Sequence, residues 1–288
     1  MKWLLPAKTF LLGEYAAIAQ GSAIVLTTEP YFRVSLTNQV GLDGIHPESP
    51  AGLWWQQKKY TDFGLTWHDP YQGCGGLGAS SAQFLGSYLA SCYLQNILPR
   101  LNSMLNAYYH HAWSGKGLKP SGYDVISQAH QACVFINKEK GMIQSYSWPF
   151  KDLSFLLIHT GIKLATHHHL QNTPLPAETM ELSKIVELAR VAIIHEDSNK
   201  MIDAVNQYHN KLTKLNLVAE HSLKLIKELK NLPEILAIKG CGALGADVLL
   251  LMTHKNDSAA LKNKLIQKHY LILATERDIT PLKSSYFN

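Results

Sequence analysis

Gly73-Cys74-Gly75-Gly76-Leu77-Gly78-Ala79-Ser80-Ser81-Ala82 runs without a break into a segment that sets Phe84, Leu85, Tyr88, Leu89 and Cys92 at helical spacing. Glycines let a backbone approach a ligand closely and adopt positive φ, and a helix start offers free N–H groups and the positive end of its dipole. Gly73, Gly75, Gly76, Leu77, Gly78, Ala79, Ser80 and Ser81 are therefore candidate phosphate-binding residues. A hydroxyl at the helix start, Ser80 or Ser81, also suits a Mg²⁺ carried by a nucleotide. Taken alone, the stretch is better read as a glycine-rich turn closed by an ordinary serine cap. No Gly-Lys-Ser/Thr triplet closes it as in a Walker loop, and no compact βαβ unit precedes it as in a dinucleotide fold.

Upstream, Met1 to Gln20 has the outline of a secretory leader, with Lys2, an apolar run and Ala17-Ile18-Ala19. A leader needs an unbroken apolar stretch of roughly 7 to 15 residues, and Lys8 and Glu14 interrupt this one. Trp3 to Phe10 reads instead as a strand entering a turn at Gly13.

The chain has 288 residues, 46% of them apolar and 17% charged, which describes a globular protein with a large core and more than one domain. No window approaches the roughly 18 to 20 apolar residues of a membrane span. Cys74, Cys92, Cys133 and Cys241 lack any paired short spacing, so reduced thiols and a cytoplasmic setting are expected. A net charge of +5 favours anionic small molecules or nucleic acid as partners, and composition does not separate the two. Trp54, Trp55, Lys58, Lys59 and Tyr60 form an aromatic and basic cluster of the kind that stacks on single strands; local packing is the simpler account. His110-His111 and His167-His168-His169 are read as packing or solvent-facing, because adjacent side chains point different ways.

Strands are expected at Ser22 to Thr28 and Tyr31 to Thr37, a mostly irregular stretch with one hairpin from Gly41 to Pro70, and helices over Ser80 to Gln95 and Arg100 to His111. Val134 to Asn137 and Met142 to Ser147 flank a hairpin turn. Leu153 to His159 is a buried strand; three amphipathic helices follow between Ala177 and Lys230. Two strands (Ile235 to Lys239, Ala246 to Met252), a helix over Ser258 to Gln267 and a strand over Tyr270 to Ala274 close the pattern. The boundary falls near residue 150, giving an N-terminal domain over 1–150 with the glycine-rich loop and a mixed C-terminal domain over 151–288.

Three segments carry a family resemblance. Pro6-Ala7-Lys8-Thr9-Phe10-Leu11-Leu12-Gly13-Glu14-Tyr15-Ala16, Gly76-Leu77-Gly78-Ala79-Ser80-Ser81-Ala82 and Pro120-Ser121-Gly122-Tyr123-Asp124 together resemble the GHMP kinases, in the family's own order, and Thr160-Gly161-Ile162-Lys163-Leu164-Ala165-Thr166 extends the likeness. Within the family, Gly13-Glu14-Tyr15-Ala16 and Ser121-Gly122-Tyr123-Asp124-Val125 look most like phosphomevalonate kinases, and Pro120-Ser121-Gly122 looks equally like mevalonate kinases.

The resemblance implies an α+β fold with a ribosomal-S5-like N-terminal domain and a ferredoxin-like C-terminal domain, ATP and Mg²⁺ as cofactors, Ser80 as metal ligand, and an acidic small-molecule substrate bound by a monomer or homodimer. It implies that Lys8 offsets charge on the transferred phosphoryl group and that Asp124 acts as base or positioner. Glu14, Tyr15, Ser121, Gly122, Lys163, Thr166, Gly240 and Gly242 would contact the substrate. The residues alone leave Lys8 open as a strand-end surface lysine and Asp124 as a helix N-cap. Two departures stand out: Ala243 and Leu244 replace glycines of the third motif, and Trp113 falls where mevalonate kinases carry a magnesium carboxylate. Both leave room for a kinase fold that binds without turnover.

Overall fold

The computed structural model describes residues 1–162, 179–282 and 285–287. The first half builds a sheet from β1 (Lys2–Leu12), β2 (Ala23–Thr37), β3 (Gly41–Asp43), β4 (Gly64–His68), β5 (Cys133–Asn137) and β6 (Met142–Tyr146). Its order is β3-β4-β2-β5-β6, with β1 against the other edge of β2. β2 is the spine: its first residues pair with β5, its last with β4, and β1 runs antiparallel along both parts. The two strands expected around Glu29-Pro30 are thus one strand of 15 residues.

The stretch from Gly41 to Pro70 corrects the sequence reading more sharply. It holds no hairpin: β3 lies parallel to β4, and α1 (Pro50–Gln57) connects them. Ser49 accepts a hydrogen bond from the Gly52 N–H and Pro50 takes the first helical position, a start signal that the surrounding prolines and aromatics obscured. The cluster at Trp54 packs inward, as its simpler reading held. Lys58 Nζ lies 3.8 Å over the Trp54 ring, and the Trp54 indole N–H donates to Ser91 of α2 (Ala79–Leu94) at 3.0 Å. His111, in the last turn of α3 (Leu101–Ala112), packs edge-on to Trp54.

The second half builds a four-stranded sheet from β7 (Leu153–His159), β8 (Ala237–Cys241), β9 (Val248–His254) and β10 (Ile272–Thr275), ordered β10-β7-β9-β8 and antiparallel throughout. This is the ferredoxin-like strand order. The helices are α5 (Thr179–Ile194), α6 (Ser198–Lys214), α7 (Glu220–Leu229) and α8 (Ser258–Gln267). Both faces of this sheet are covered, which is why its strands read as unbroken apolar runs rather than alternating ones. Leu156, Ile158, Leu249 and Leu251 meet Ile226, Leu229, Leu261 and Leu265 of α7 and α8. Their strand neighbours Phe155, Leu157, Leu250 and Met252 face the larger core, which runs through both halves of the chain.

Candidate active site

Lys8 sits in the middle of β1, opposite Thr27 of β2, and is 7% exposed. Its backbone N–H donates to the Leu77 carbonyl at 2.9 Å, tying the strand to the glycine-rich loop. The loop turns through left-handed conformations at Gly73, Gly76 and Gly78. Gly78 is forced: a Cβ there would lie 2.6 Å from Lys8 Cγ. Its carbonyl accepts hydrogen bonds from Ser81 Oγ at 2.9 Å and from Gln128 Nε2 at 3.1 Å, and the same Gln128 amide donates to Pro6 at 2.8 Å. One buried glutamine thus fastens β1, the loop and α4 (Tyr123–His130) together.

Asp124 lies in the first turn of α4. The N-cap is Gly122, at φ 78, so the capping role open to Asp124 in the sequence is not the one it takes. Its Oδ1 lies 3.1 Å from Lys8 Nζ. The preceding loop is braced by Tyr109, whose hydroxyl donates to the Ser121 carbonyl at 2.9 Å, and by Lys138, whose ammonium reaches the Tyr109 oxygen at 2.7 Å. Partial burial lowers the Lys138 pKa.

A cleft of about 510 Å³ joins these parts. Its walls include Lys8, Glu14, Tyr15, the whole run from Gly73 to Ser81, Ser121, Gly122, Asp124 and Gly242. Ser80 is exposed at the head of α2, whereas the Ser81 hydroxyl is already engaged by Gly78. Tyr15 accepts a hydrogen bond from the Leu244 N–H at 2.8 Å, and burial pushes its hydroxyl pKa up to about 12. Gly240 is not in the cleft wall; it faces Gly245, whose Cα a Cβ on Gly240 would meet at 2.5 Å. Its role is close backbone packing rather than ligand contact. Lys163 and Thr166 lie outside the described residues.

Lys116, Lys119 and Tyr108, which the sequence does not single out, also line the cleft, as do Trp113 and Asp247. Lys116 and Lys119 look like ordinary loop lysines until α3 and α4 bring their connection over the cleft. Lys239 was missed too, although an ammonium within Ile238-Lys239-Gly240 of an apolar strand is itself a signal. It is fully buried and pairs with Glu14.

Of the third motif, Leu244 holds the left-handed conformation that glycine normally fills, at φ 54. Trp113 stands at the cleft in place of a carboxylate, and among the described residues no group of three His, Cys, Asp or Glu side chains is placed to hold a metal.

No family model and no curated protein sequence matches the chain. Solved structures do. A phosphomevalonate kinase from Streptococcus pneumoniae superimposes with a TM-score of 0.77 at 16% identity, over 96% of this chain and 98% of that one. The mevalonate kinase of Methanococcus jannaschii gives 0.71 at 14%, over 98% of each. A Lactococcus lactis galactokinase complexed with galactose gives 0.72 at 10%, over 94% and 92%. This chain has the GHMP-kinase fold. In GHMP-kinase terms the sheet β1–β6 is the ribosomal-S5-like part and the sheet β7–β10 the ferredoxin-like part. The cleft draws on both, since Gly242 and Asp247 reach it from the second.

Proposed function

We propose that this protein is an ATP-dependent kinase of a small acidic metabolite, with phosphomevalonate as its acceptor. The observation that carries the reading is the Lys8–Asp124 pair at 3.1 Å beside a glycine loop in one cleft. The fit to a triphosphate is physical: Gly76 and Gly78 keep the loop free of side chains where Cβ atoms would collide, and the α2 terminus presents its N–H groups to the same space. Ser80 is the one loop hydroxyl free of a bond to its own loop, so it would hold a nucleotide-borne Mg²⁺ together with phosphate oxygens and water. That ion supplies charge neutralisation to the phosphates.

Lys8 is nearly buried, so its ammonium acts in a poorly solvated setting and offsets charge that builds on the transferred group. Asp124 takes the proton of an acceptor hydroxyl, or, with an acceptor phosphate already ionised near neutral pH, orients Lys8 and the acceptor. Lys116 and Lys119 add positive charge to the cleft, which favours an anionic acceptor. Among the neighbours, the S. pneumoniae enzyme was solved with phosphomevalonate and AMPPNP. Mevalonate is the alternative acceptor, in line with neighbours such as an L. major mevalonate kinase in complex with R-mevalonate. Four free cysteines and the lack, among the described residues, of any helix long and apolar enough to cross a membrane are compatible with a cytoplasmic enzyme.

The test is ADP release from purified protein, ATP and Mg²⁺ offered phosphomevalonate, mevalonate, diphosphomevalonate, homoserine or galactose. Phosphomevalonate is expected to give the highest kcat/KM. No turnover on any acceptor, with nucleotide binding retained, would instead make the protein a binding module built on a kinase fold.

A further inference from the structure

Glu14 and Lys239 meet across the seam between the two sheets. Lys239 Nζ lies 2.8 Å from Glu14 Oε1, with side-chain exposures of 0% and 4%. Glu14 is in the cleft wall and Lys239 is not. Glu14 Oε2 is buried with no hydrogen-bond partner among the described residues. A carboxylate that is half satisfied by an ion pair and half unsatisfied is costly unless something else completes it.

The groups around the pair come from several elements. Lys8 of β1 and the neighbouring Tyr15 face Glu14; Tyr208 of α6 lies with its ring 5.8 Å from Lys239 Nζ; Cys241 Sγ is 3.6 Å from that ammonium; His209 is close enough to feel its charge. Burial pushes the Cys241 thiol up to about 11 and the Tyr208 hydroxyl higher still, so both are neutral at neutral pH. Glu14 is therefore the acidic group that pairs with Lys239. Burial raises the Glu14 pKa, and Lys239, then Lys8, act against that rise.

We propose that Lys239 is a positioning residue that holds Glu14 in the cleft wall as an anion, so that Oε2 accepts a hydrogen bond from a hydroxyl of the bound acceptor. The ligand half of this rests on the kinase reading; the ion pair does not. The third glycine motif thereby acts on the acceptor end of the cleft through a residue that never touches the ligand.

The test uses the full chain with Lys239→Met, Glu14→Gln and the double variant. Melting temperatures are measured at pH 5 and pH 8, and acceptor affinity by calorimetry. A carboxylate whose pKa is raised on folding stabilises the fold below its unfolded value and loses that contribution as pH rises through the folded value. Removing Lys239 raises the Glu14 value further, so Lys239→Met is expected to lose more melting temperature at pH 8 than at pH 5. The double variant is expected to lose this pH difference. Acceptor affinity is expected to fall about tenfold or more in each single variant, with nucleotide affinity unchanged. Equal melting losses at both pH values would reduce Lys239 to a packing residue and overturn the proposal. If the wild type binds no hydroxyl-bearing acceptor, the ligand half falls while the melting series still decides the pair.

Discussion

Lys8 Nζ stands 3.1 Å from Asp124 Oδ1, although one comes from the middle of β1 and the other from the first turn of α4. The strand fixes the lysine through its pairing with β2, and Gln128, one turn beyond the aspartate, fixes the helix to Pro6 and to the loop carbonyl of Gly78. The ammonium and the carboxylate are thus held by the same clamp that holds the glycine-rich loop.

If this pair works as a unit, its members will not act additively. Lys8→Met is expected to lower kcat by about 10²–10³-fold, as for the loss of one preorganised transition-state donor. Asp124→Asn is expected to lower it within the about 10²–10⁴-fold range of a general base. The double variant should be little worse than the poorer single one, which single-turnover kinetics will check.

Gly78→Ala is expected to abolish turnover without unfolding the protein. The new Cβ would press on Lys8 Cγ at 2.6 Å and Cε at 2.9 Å, and the residue would still have to hold a φ of 79°. Lys8 must move before the loop can close. A melting temperature lowered by only a few degrees alongside turnover below about 1% of wild type is the expected result.

Leu244→Gly should stabilise the fold. Leu244 holds a left-handed φ of 54 while its N–H donates to Tyr15. A left-handed side-chain-bearing residue costs about 1–2 kcal/mol, part of which glycine gives back through its greater freedom when unfolded. A rise in melting temperature of about 2 °C is expected, measured by calorimetry.

His209 sets an acid limit on stability. Burial, followed by Lys230 and Lys239, lowers its pKa to about 4. A depressed histidine contributes stability above its unfolded pKa and loses it as pH falls through the folded one, so the window runs from about 6.5 down to about 4. The loss, allowing for partial screening, is on the order of 2 kcal/mol. Denaturant titrations of wild type and His209→Gln across that window should diverge at pH 7 and converge near pH 4.

Much of this was legible in the residues. Continuous apolar runs marked β7 and β9 because both their faces are covered, and the glycine run entering a helical pattern marked the loop and α2. The stretch from Gly41 to Pro70 was not legible, because β3 is only three residues long and pairs in parallel with β4 around a short helix. Local preference is weak where so few residues must be held by long-range pairing. Gly240 misled for a related reason: whether a glycine faces a ligand or another backbone depends on what packs across from it, and here that is Gly245.

Outside the stretch from Gly41 to Pro70, the sequence by itself determined where most strands and helices lie and which backbone points are free of side chains, since periodicity, glycine and helix-start chemistry act over a few residues. Tertiary structure alone decided that Lys8 meets Asp124, that Asp124 is not a cap, and that Lys239 pairs with Glu14 rather than facing water. Those outcomes depend on distances between elements far apart in the chain, and only the packing of two sheets on a shared core sets such distances.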